Sequence, residues 1–146
     1  MIKINRQGVT RTVIITARWA VKVPSFRYGA FRWRWRNFLN GMLANLQEAN
    51  FSDARWPELC PVLRSCPLGL WLVMPRARVM TDEEFSDFDY VEFVTRGDHY
   101  ARENYRLRHG QCREGAEPEG LVIPAERKAD SFGWLNGRVV AVDYGN

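Results

Sequence analysis

Residues 136–145 read Asn-Gly-Arg-Val-Val-Ala-Val-Asp-Tyr-Gly. An Asn-Gly pair between two apolar runs is the strongest short-range indication of a β-hairpin, and residues 131–135 would form its first strand. The second strand ends in a lone carboxylate, Asp143, and is followed by a glycine that is free to adopt unusual dihedral angles. Two interpretations are open for Asp143: it caps a terminal hairpin, or it holds a cation such as a metal bound to phosphate.

The composition is that of one soluble globular domain. The chain has 146 residues, of which 46% are hydrophobic and 26% charged, so it can bury a core without a metal or disulfide staple. The net charge is +4, carried by 18 Arg and 3 Lys. This arginine bias indicates either phosphate or carboxylate recognition or a GC-rich coding sequence.

The cysteines and the apolar runs indicate the cellular compartment of the protein. Cys60, Cys66 and Cys112 are an odd number without a CxxC pair, which predicts reduced thiols and neither a disulfide framework nor a zinc site. No run of about 18 apolar residues and no signal peptide is present. We therefore expect a cytoplasmic protein with no membrane partner.

The first third of the chain predicts strand and then helix. Residues 12–23 are rich in β-branched residues and predict one bent strand or a tight pair. Alternation places Lys22 on one face of the strand and Trp19, Val21 and Val23 on the other. A lysine in such a position commonly extends to solvent from an edge strand. Residues 28–50 follow helical spacing, with an apolar stripe expected in the core: Phe31, Trp35, Phe38, Met42, Leu46 and Ala49.

Glu48 lies beside that stripe, about 100° from its centre if each residue advances by about 100°. It can therefore point to solvent or turn sideways toward a neighbouring sheet. Downstream, residues 59–63 and 69–75 predict a second hairpin. Thr81 and Glu84 form a capping box that starts a helical segment, and another helix is expected over residues 99–109, followed by a loop over 110–120.

Taken in order, these segments predict an α+β fold in which a mostly antiparallel sheet packs on one long helix. The order also resembles a known family. Ala20-Val21-Lys22 resembles the strand-borne lysine motif of the protein-kinase fold, and Asp143-Tyr144-Gly145 resembles its metal-binding Asp-Phe-Gly motif. Residues 72–77, Leu-Val-Met-Pro-Arg-Ala, look like the last small-lobe strand running into the hinge. The resemblance implies one kinase-like domain over residues 1–146, with residues 1–77 small-lobe-like and 78–146 a reduced helical segment and terminal hairpin.

The resemblance also implies a site. In that family the lysine binds the inner phosphates of ATP, a helix glutamate pairs with the lysine, and the aspartate holds magnesium. Lys22, Glu48 and Asp143 match these positions. The gap from Lys22 to Glu48 is longer than the family's pattern, which leaves Asn45 as a substitute partner.

A catalytic loop is matched less closely. Glu126, Lys128 and Ser131 fall at the spacing of the family's aspartate base, its lysine and its metal-binding asparagine. Glu126 would place its carboxylate differently from an aspartate, and Ser131 removes a metal ligand. No Gly-x-Gly-x-x-Gly loop precedes Lys22. We therefore predict a catalytically degenerate module. We expect that it binds no cofactor and is not an enzyme.

The predicted activity is macromolecular binding. The docking surface would be the arginine- and tryptophan-rich start of the long helix: Arg27, Arg32, Trp33, Arg34 and Arg36. Truncated kinase-like chains of this kind resemble small phage- and prophage-encoded proteins, which implies a regulator or inhibitor of a host protein, acting in the host cytosol.

Two alternatives stay open. In the first, a small phosphotransferase uses Lys22, Glu48 and Asp143 on ATP and magnesium, with Glu126 as base. In the second, a nucleic-acid-binding protein uses residues 32–36, where aromatic rings stack on bases and arginines follow phosphates.

Overall fold

The strands form two antiparallel sheets. The computed structural model of the chain describes residues 2–5, 8–27, 29–103 and 122–144. The first sheet has the order β1-β2-β3-β5-β4 and the second the order β6-β7-β8. Their strands are β1 (Lys3–Asn5), β2 (Arg11–Ile15), β3 (Trp19–Pro24), β4 (Arg64–Ser65), β5 (Leu72–Pro75), β6 (Arg78–Val79), β7 (Phe132–Leu135) and β8 (Arg138–Ala141).

One long helix, α1 (Phe31–Ser52), connects β3 to β4 and packs against the first sheet. The short helices α2 (Asp82–Ser86) and α3 (Tyr90–Val94) follow, and a 3-10 turn (Ala129–Ser131) precedes β7. The predicted α+β class, with antiparallel strands and a long helix against a sheet, is confirmed. Within the described residues, no helix has both the length and the apolar composition needed to cross a membrane.

Residues 12–23 form the tight pair, β2 and β3, and not one bent strand. β3 lies in the interior of the sheet, where Lys22 is opposite Val13 on one side and Leu72 on the other. Lys22 is only 6% exposed. The interpretation of Lys22 as an edge-strand lysine reaching solvent is therefore wrong.

The buried face of α1 differs from the predicted apolar stripe. The helix buries Gly41, Ala44, Asn45 and Glu48, whereas Phe31 is 76% and Trp35 45% exposed. The expectation that the stripe lies in the core is wrong, and Glu48 turns toward the sheet.

Gly41 accounts for this rotation of α1. A Cβ atom at Gly41 would collide with the carbonyl oxygen of Thr10 and would lie 3.0 Å from the Cα atom of Pro24. The absence of a side chain therefore lets α1 approach the backbone of the β2–β3 hairpin closely. This close approach determines which face of α1 packs on the hairpin. The polar side chains one and two turns further along the helix are buried on the same face.

The second predicted hairpin forms with a shifted first strand. β4 is Arg64–Ser65 and not residues 59–63. Residues 58–60 pair instead with the end of β8, because the amide of Cys60 donates to Ala141 at 2.9 Å and the amide of Ala141 donates to Glu58 at 2.8 Å. This pairing brings the residues after β8 next to the first sheet.

Local chemistry forms the remaining elements as predicted. Thr81 and Glu84 make both hydrogen bonds of a capping box at the start of α2. Asn136 and Gly137 have φ angles of 52° and 78°, the left-handed pair that a two-residue hairpin turn requires. Residues 99–103 are helical, while the predicted continuation to 109 and the loop 110–120 lie outside the described residues.

The apolar core lies mainly between β5, the second sheet and α3. Phe132, fully buried, is its centre. Four aromatic rings surround Phe132 with centroids 5.3–5.9 Å away: Phe85, Phe88, Tyr90 and Phe93. α1 contributes little apolar surface to this core and buries two polar side chains, Asn45 and Glu48, against the sheet.

Candidate functional site

Four charged side chains meet where α1 crosses the first sheet. We call Arg11, Lys22, Glu48 and Asp143 the ion cluster. The Nζ of Lys22 donates to both carboxylate oxygens of Glu48, at 2.7 and 2.9 Å, and lies 3.4 Å from Oδ1 of Asp143. The structure thus brings together the lysine, the glutamate and the aspartate singled out in the sequence.

Arg11 completes the cluster and was missed by the sequence reasoning. Its Nη1 donates to Oε1 of Glu48 at 2.8 Å, and its Nη2 contacts Oδ1 of Asp143. Arg11 and Val13 share one face of β2, and Val13 lies opposite Lys22. Alternation along β2 could have placed Arg11 beside Lys22, but only once the strand register was known.

The cluster is buried and balanced in charge. Glu48 is 0% exposed, Arg11 is also buried, and the side chain of Asp143 is 30% exposed. A fourth partner of Lys22 is the carbonyl oxygen of Val142, at 2.6 Å. Because an ammonium group has three hydrogens, these acceptors leave Lys22 none to offer to a phosphate group.

Burial and ion pairing act in opposite directions on the two carboxyl groups of the cluster. Burial opposes ionisation of Asp143, but the charges of Lys22 and Arg11 outweigh it and hold the pKa at about 2. Burial raises the pKa of Glu48, and the charges of Lys22 and Arg11 oppose that rise. The net effect is a raised pKa, although the hydrogen bonds from Lys22 to both oxygens of Glu48 favour its carboxylate form.

Asn45 lies one turn before Glu48 but does not contact the ammonium of Lys22. Its Nδ2 donates to the carbonyl oxygen of Gly69 at 2.9 Å and lies 3.4 Å from that of Lys22. Glu48, and not Asn45, is the side chain that reaches the ammonium. Asn45 ties α1 to the backbone of β3 and of the turn before β5.

Two of the catalytic-loop positions, Glu126 and Lys128, form a pair near the surface. Lys128 forms an ion pair with Glu126 at 2.8 Å, and both side chains are about half exposed. Burial works against the charge of Lys128, yet Glu126, Asp130 and Asp143 together raise its pKa. Glu126 is therefore paired with a lysine at the surface and makes no hydrogen bond or ion pair with the ion cluster.

Ser131 is fully buried next to Asp143. Its carbonyl oxygen accepts from the amide of Val142 at 2.8 Å and from that of Asp143 at 3.4 Å. Its hydroxyl has no hydrogen-bond partner within the described part of the chain. Ser131 thus fixes the backbone that carries Asp143.

The donor set does not fit a magnesium–nucleotide group. The carboxylate of Asp143 is already neutralised by Arg11 and Lys22, and Ser131 offers a hydroxyl where the protein-kinase pattern has an asparagine carboxamide. Among the residues that the structure describes, no three His, Cys, Asp or Glu side chains are grouped in a way that could hold a metal ion. Contacts within the protein therefore account for the ion cluster.

The predicted docking surface lies at the other end of α1. Five side chains of this surface are exposed: Arg27, Arg32, Trp33, Arg34 and Arg36. The guanidinium of Arg36 lies 5.4 Å from the ring centroid of Trp33, and Nε of Arg34 donates to Gly29 at 2.9 Å. At about 1.5 Å per residue, Arg32 is about 24 Å from Glu48 along the helix axis, so this surface is separate from the ion cluster.

An aromatic group borders this surface. Phe26 stacks on Phe38 with ring centroids 4.0 Å apart and contacts Trp35 edge-on at 5.2 Å. Phe31 contacts Trp35 at 6.2 Å. Three of the four rings are nevertheless exposed: Phe26, Phe31 and Trp35. Large aromatic surface is therefore available to a partner at the start of α1.

A cavity of about 410 Å³ lies between the last turns of α1 and residues 62–67. Leu46, Ala49 and Leu63 contribute apolar walls, and Asp53 and Arg64 contribute charge. None of the four ion-cluster side chains lines this cavity, so it offers no access to them.

Comparisons with known proteins do not assign the chain to a family. No protein-family model matches it, and no curated protein is similar enough in sequence to indicate a shared family.

Proposed function

We propose that this chain is a catalytically degenerate, kinase-like binding protein whose ion cluster is structural and whose activity is to bind another macromolecule through the start of α1. The observation that carries the proposal is the exposure of Phe31, Trp33 and Trp35 among three exposed arginines. An aromatic and arginine surface of this kind is typical of protein interfaces.

The state of the ion cluster argues against the phosphotransferase alternative. Phosphoryl transfer in the kinase pattern requires that the lysine, while paired with its helix glutamate, still offers an N–H to phosphate and that the aspartate is free to bind magnesium. Here Lys22 is saturated by protein acceptors and Arg11 joins Glu48 to Asp143. Binding ATP would require these buried contacts to break, and Glu126 is paired with Lys128 at the surface.

The distribution of charge indicates an acidic partner. Residues 1–47 contain nine Lys and Arg and no Asp or Glu. Arg11 and Lys22 are neutralised in the ion cluster, but the arginines at the start of α1 are exposed. Because opposite charges steer association and select partners, an acidic protein surface fits this region best.

A protein partner fits better than nucleic acid. Binding of single strands depends on aromatic ring faces on which bases can stack. Trp35 is packed edge-on against Phe26 and Phe38, and Arg36 lies over Trp33. The family resemblance makes a host protein the expected partner, with regulation or inhibition as the expected effect.

The test is a pull-down with a charge-reversed variant carrying Glu at Arg32, Arg34 and Arg36. We expect it to lose the partner that the unmodified chain captures. A matched control reverses three exposed arginines elsewhere, Arg18, Arg55 and Arg138, and should retain the partner. Equal capture by both variants would remove this surface from consideration, and a gel shift with nucleic acid at low salt would favour the alternative.

A further inference from the structure

An apolar band runs along one flank of α1. Four of its residues are exposed, Phe31, Trp35, Leu39 and Leu43, and three are half-buried, Phe38, Met42 and Leu46. Leu39 and Leu43 are 51% and 57% exposed, in addition to the exposed aromatic residues at its start. Monomeric proteins rarely leave a contiguous apolar surface of this kind uncovered unless it binds something.

The spacing of the band indicates what shape covers it. Phe31, Trp35, Phe38 and Met42 are separated by four, three and four residues, the alternation found along the seam of helices that pack in parallel or antiparallel pairs. From Phe31 to Leu46 the band is about 22 Å long at about 1.5 Å per residue. A second helix of about four turns would match that length.

The charges beside the band indicate the chemistry of that helix. Arg32 and Arg36 are one turn apart and exposed, and at about 100° per residue they lie on the outer side of the band, in line with Leu39 and Leu43. α1 contains no acidic residue before Glu48, which is buried. A helix lying along the band would therefore meet the positive charge of Arg32 and Arg36 and no exposed acidic side chain of α1.

We propose that the band docks an amphipathic helix of a partner protein that has acidic residues flanking its apolar seam. This inference rests on the proposed function and specifies the kind of partner. A second copy of α1 does not qualify, because it would bring arginines and no accessible carboxylate to the interface.

The test uses three synthetic peptides of about 18 residues that share a Leu seam. One has Glu at the flanking positions, one has Lys there, and one has the Glu composition with two prolines that break the helix. Binding is measured from the anisotropy of a dye on the peptide. We expect the Glu peptide to bind about tenfold or more tightly than the other two, with affinity falling as salt is added.

Variants locate the site. Leu39→Glu with Leu43→Glu should weaken binding of the Glu peptide about tenfold or more, and because both positions are exposed the fold should be retained, which circular dichroism verifies. Tyr100→Glu, at another exposed apolar residue, is the matched control and should bind as before. Equal affinity for the Glu and Lys peptides, or unchanged binding by the double variant, would overturn the inference.

If a ligand other than a partner helix covers the band, these experiments give a different result. A dimer in sedimentation that dissociates in the double variant would mean that a second copy covers the band. Binding to anionic phospholipid vesicles or to DNA that excludes the Glu peptide would assign the band to that ligand instead. If the pull-down partner is lost on charge reversal but retained by the Leu39/Leu43 variant, the proposed function stands and the helix-docking inference fails.

Discussion

The most informative perturbation of the ion cluster is Glu48→Gln. It preserves the shape of the side chain but removes the carboxylate that both Lys22 and Arg11 contact. Two buried cations then share Asp143 as their single counter-ion. Removing one partner of a buried ion pair typically costs about 3–5 kcal/mol. For a chain of this size we expect the melting temperature to fall by about 10 °C or more.

The assay is urea and thermal unfolding followed by circular dichroism near neutral pH. Glu84→Gln is the matched control: Glu84 pairs with Arg78 at the surface, and glutamine can also complete a capping box. We expect this control to change the melting temperature much less than Glu48→Gln does.

A double-mutant cycle isolates the interaction from the general effect of mutation. Lys22→Met combined with Glu48→Gln leaves Arg11 and Asp143 as a balanced pair. The double variant should therefore be more stable than the sum of the two single effects predicts, by about 1 kcal/mol or more. Additive effects, or a Glu48→Gln variant as stable as the Glu84 control, would refute the account of the cluster.

Three further predictions concern the same region. Gly41→Ala should lower the melting temperature although alanine is the better helix former, because its Cβ would collide with Thr10; a stabilised variant would contradict the close approach of α1. Arg11→Met should lower the melting temperature, and Arg11→Lys should lower it as well, because one ammonium cannot replace a planar guanidinium that contacts two carboxylates. An Arg11→Lys variant as stable as the unmodified chain would contradict this. Asp143 has a folded-state pKa of about 2, below its ordinary value of 3.8, so the stability it contributes is complete above about pH 4 and is lost as the pH falls toward 2. Asp143→Asn should make the free energy of unfolding, measured by urea titration, depend less on pH in this range. An unchanged pH dependence would contradict the lowered pKa of Asp143.

Elements specified by local chemistry were predictable from the sequence. The left-handed pair Asn136 and Gly137 and the capping box of Thr81 with Glu84 depend on residues a few positions apart, and both form. That Lys22, Glu48 and Asp143 lie together was also predicted, although only from the order of motifs along the chain.

The features that depend on packing were not predictable. Helical periodicity located α1, but the face that packs is set by how closely Gly41 lets the helix approach β2 and β3. The predicted core stripe is therefore exposed at Phe31 and Trp35 and only half-buried over the rest of its length. Arg11 was missed because its proximity to Glu48 depends on the register between two strands, which the sequence of either strand alone does not specify.

The central claim is that the ion cluster is closed and leaves no nucleotide site. Isothermal titration with ATP and magnesium at millimolar concentration tests it most directly. We predict no heat of binding, because Arg11 occupies the carboxylate of Asp143 and the carbonyl oxygen of Val142 takes the remaining N–H of Lys22. A saturable one-to-one isotherm that disappears in a folded Asp143→Ala variant, and persists in an Asp130→Ala control, would contradict it.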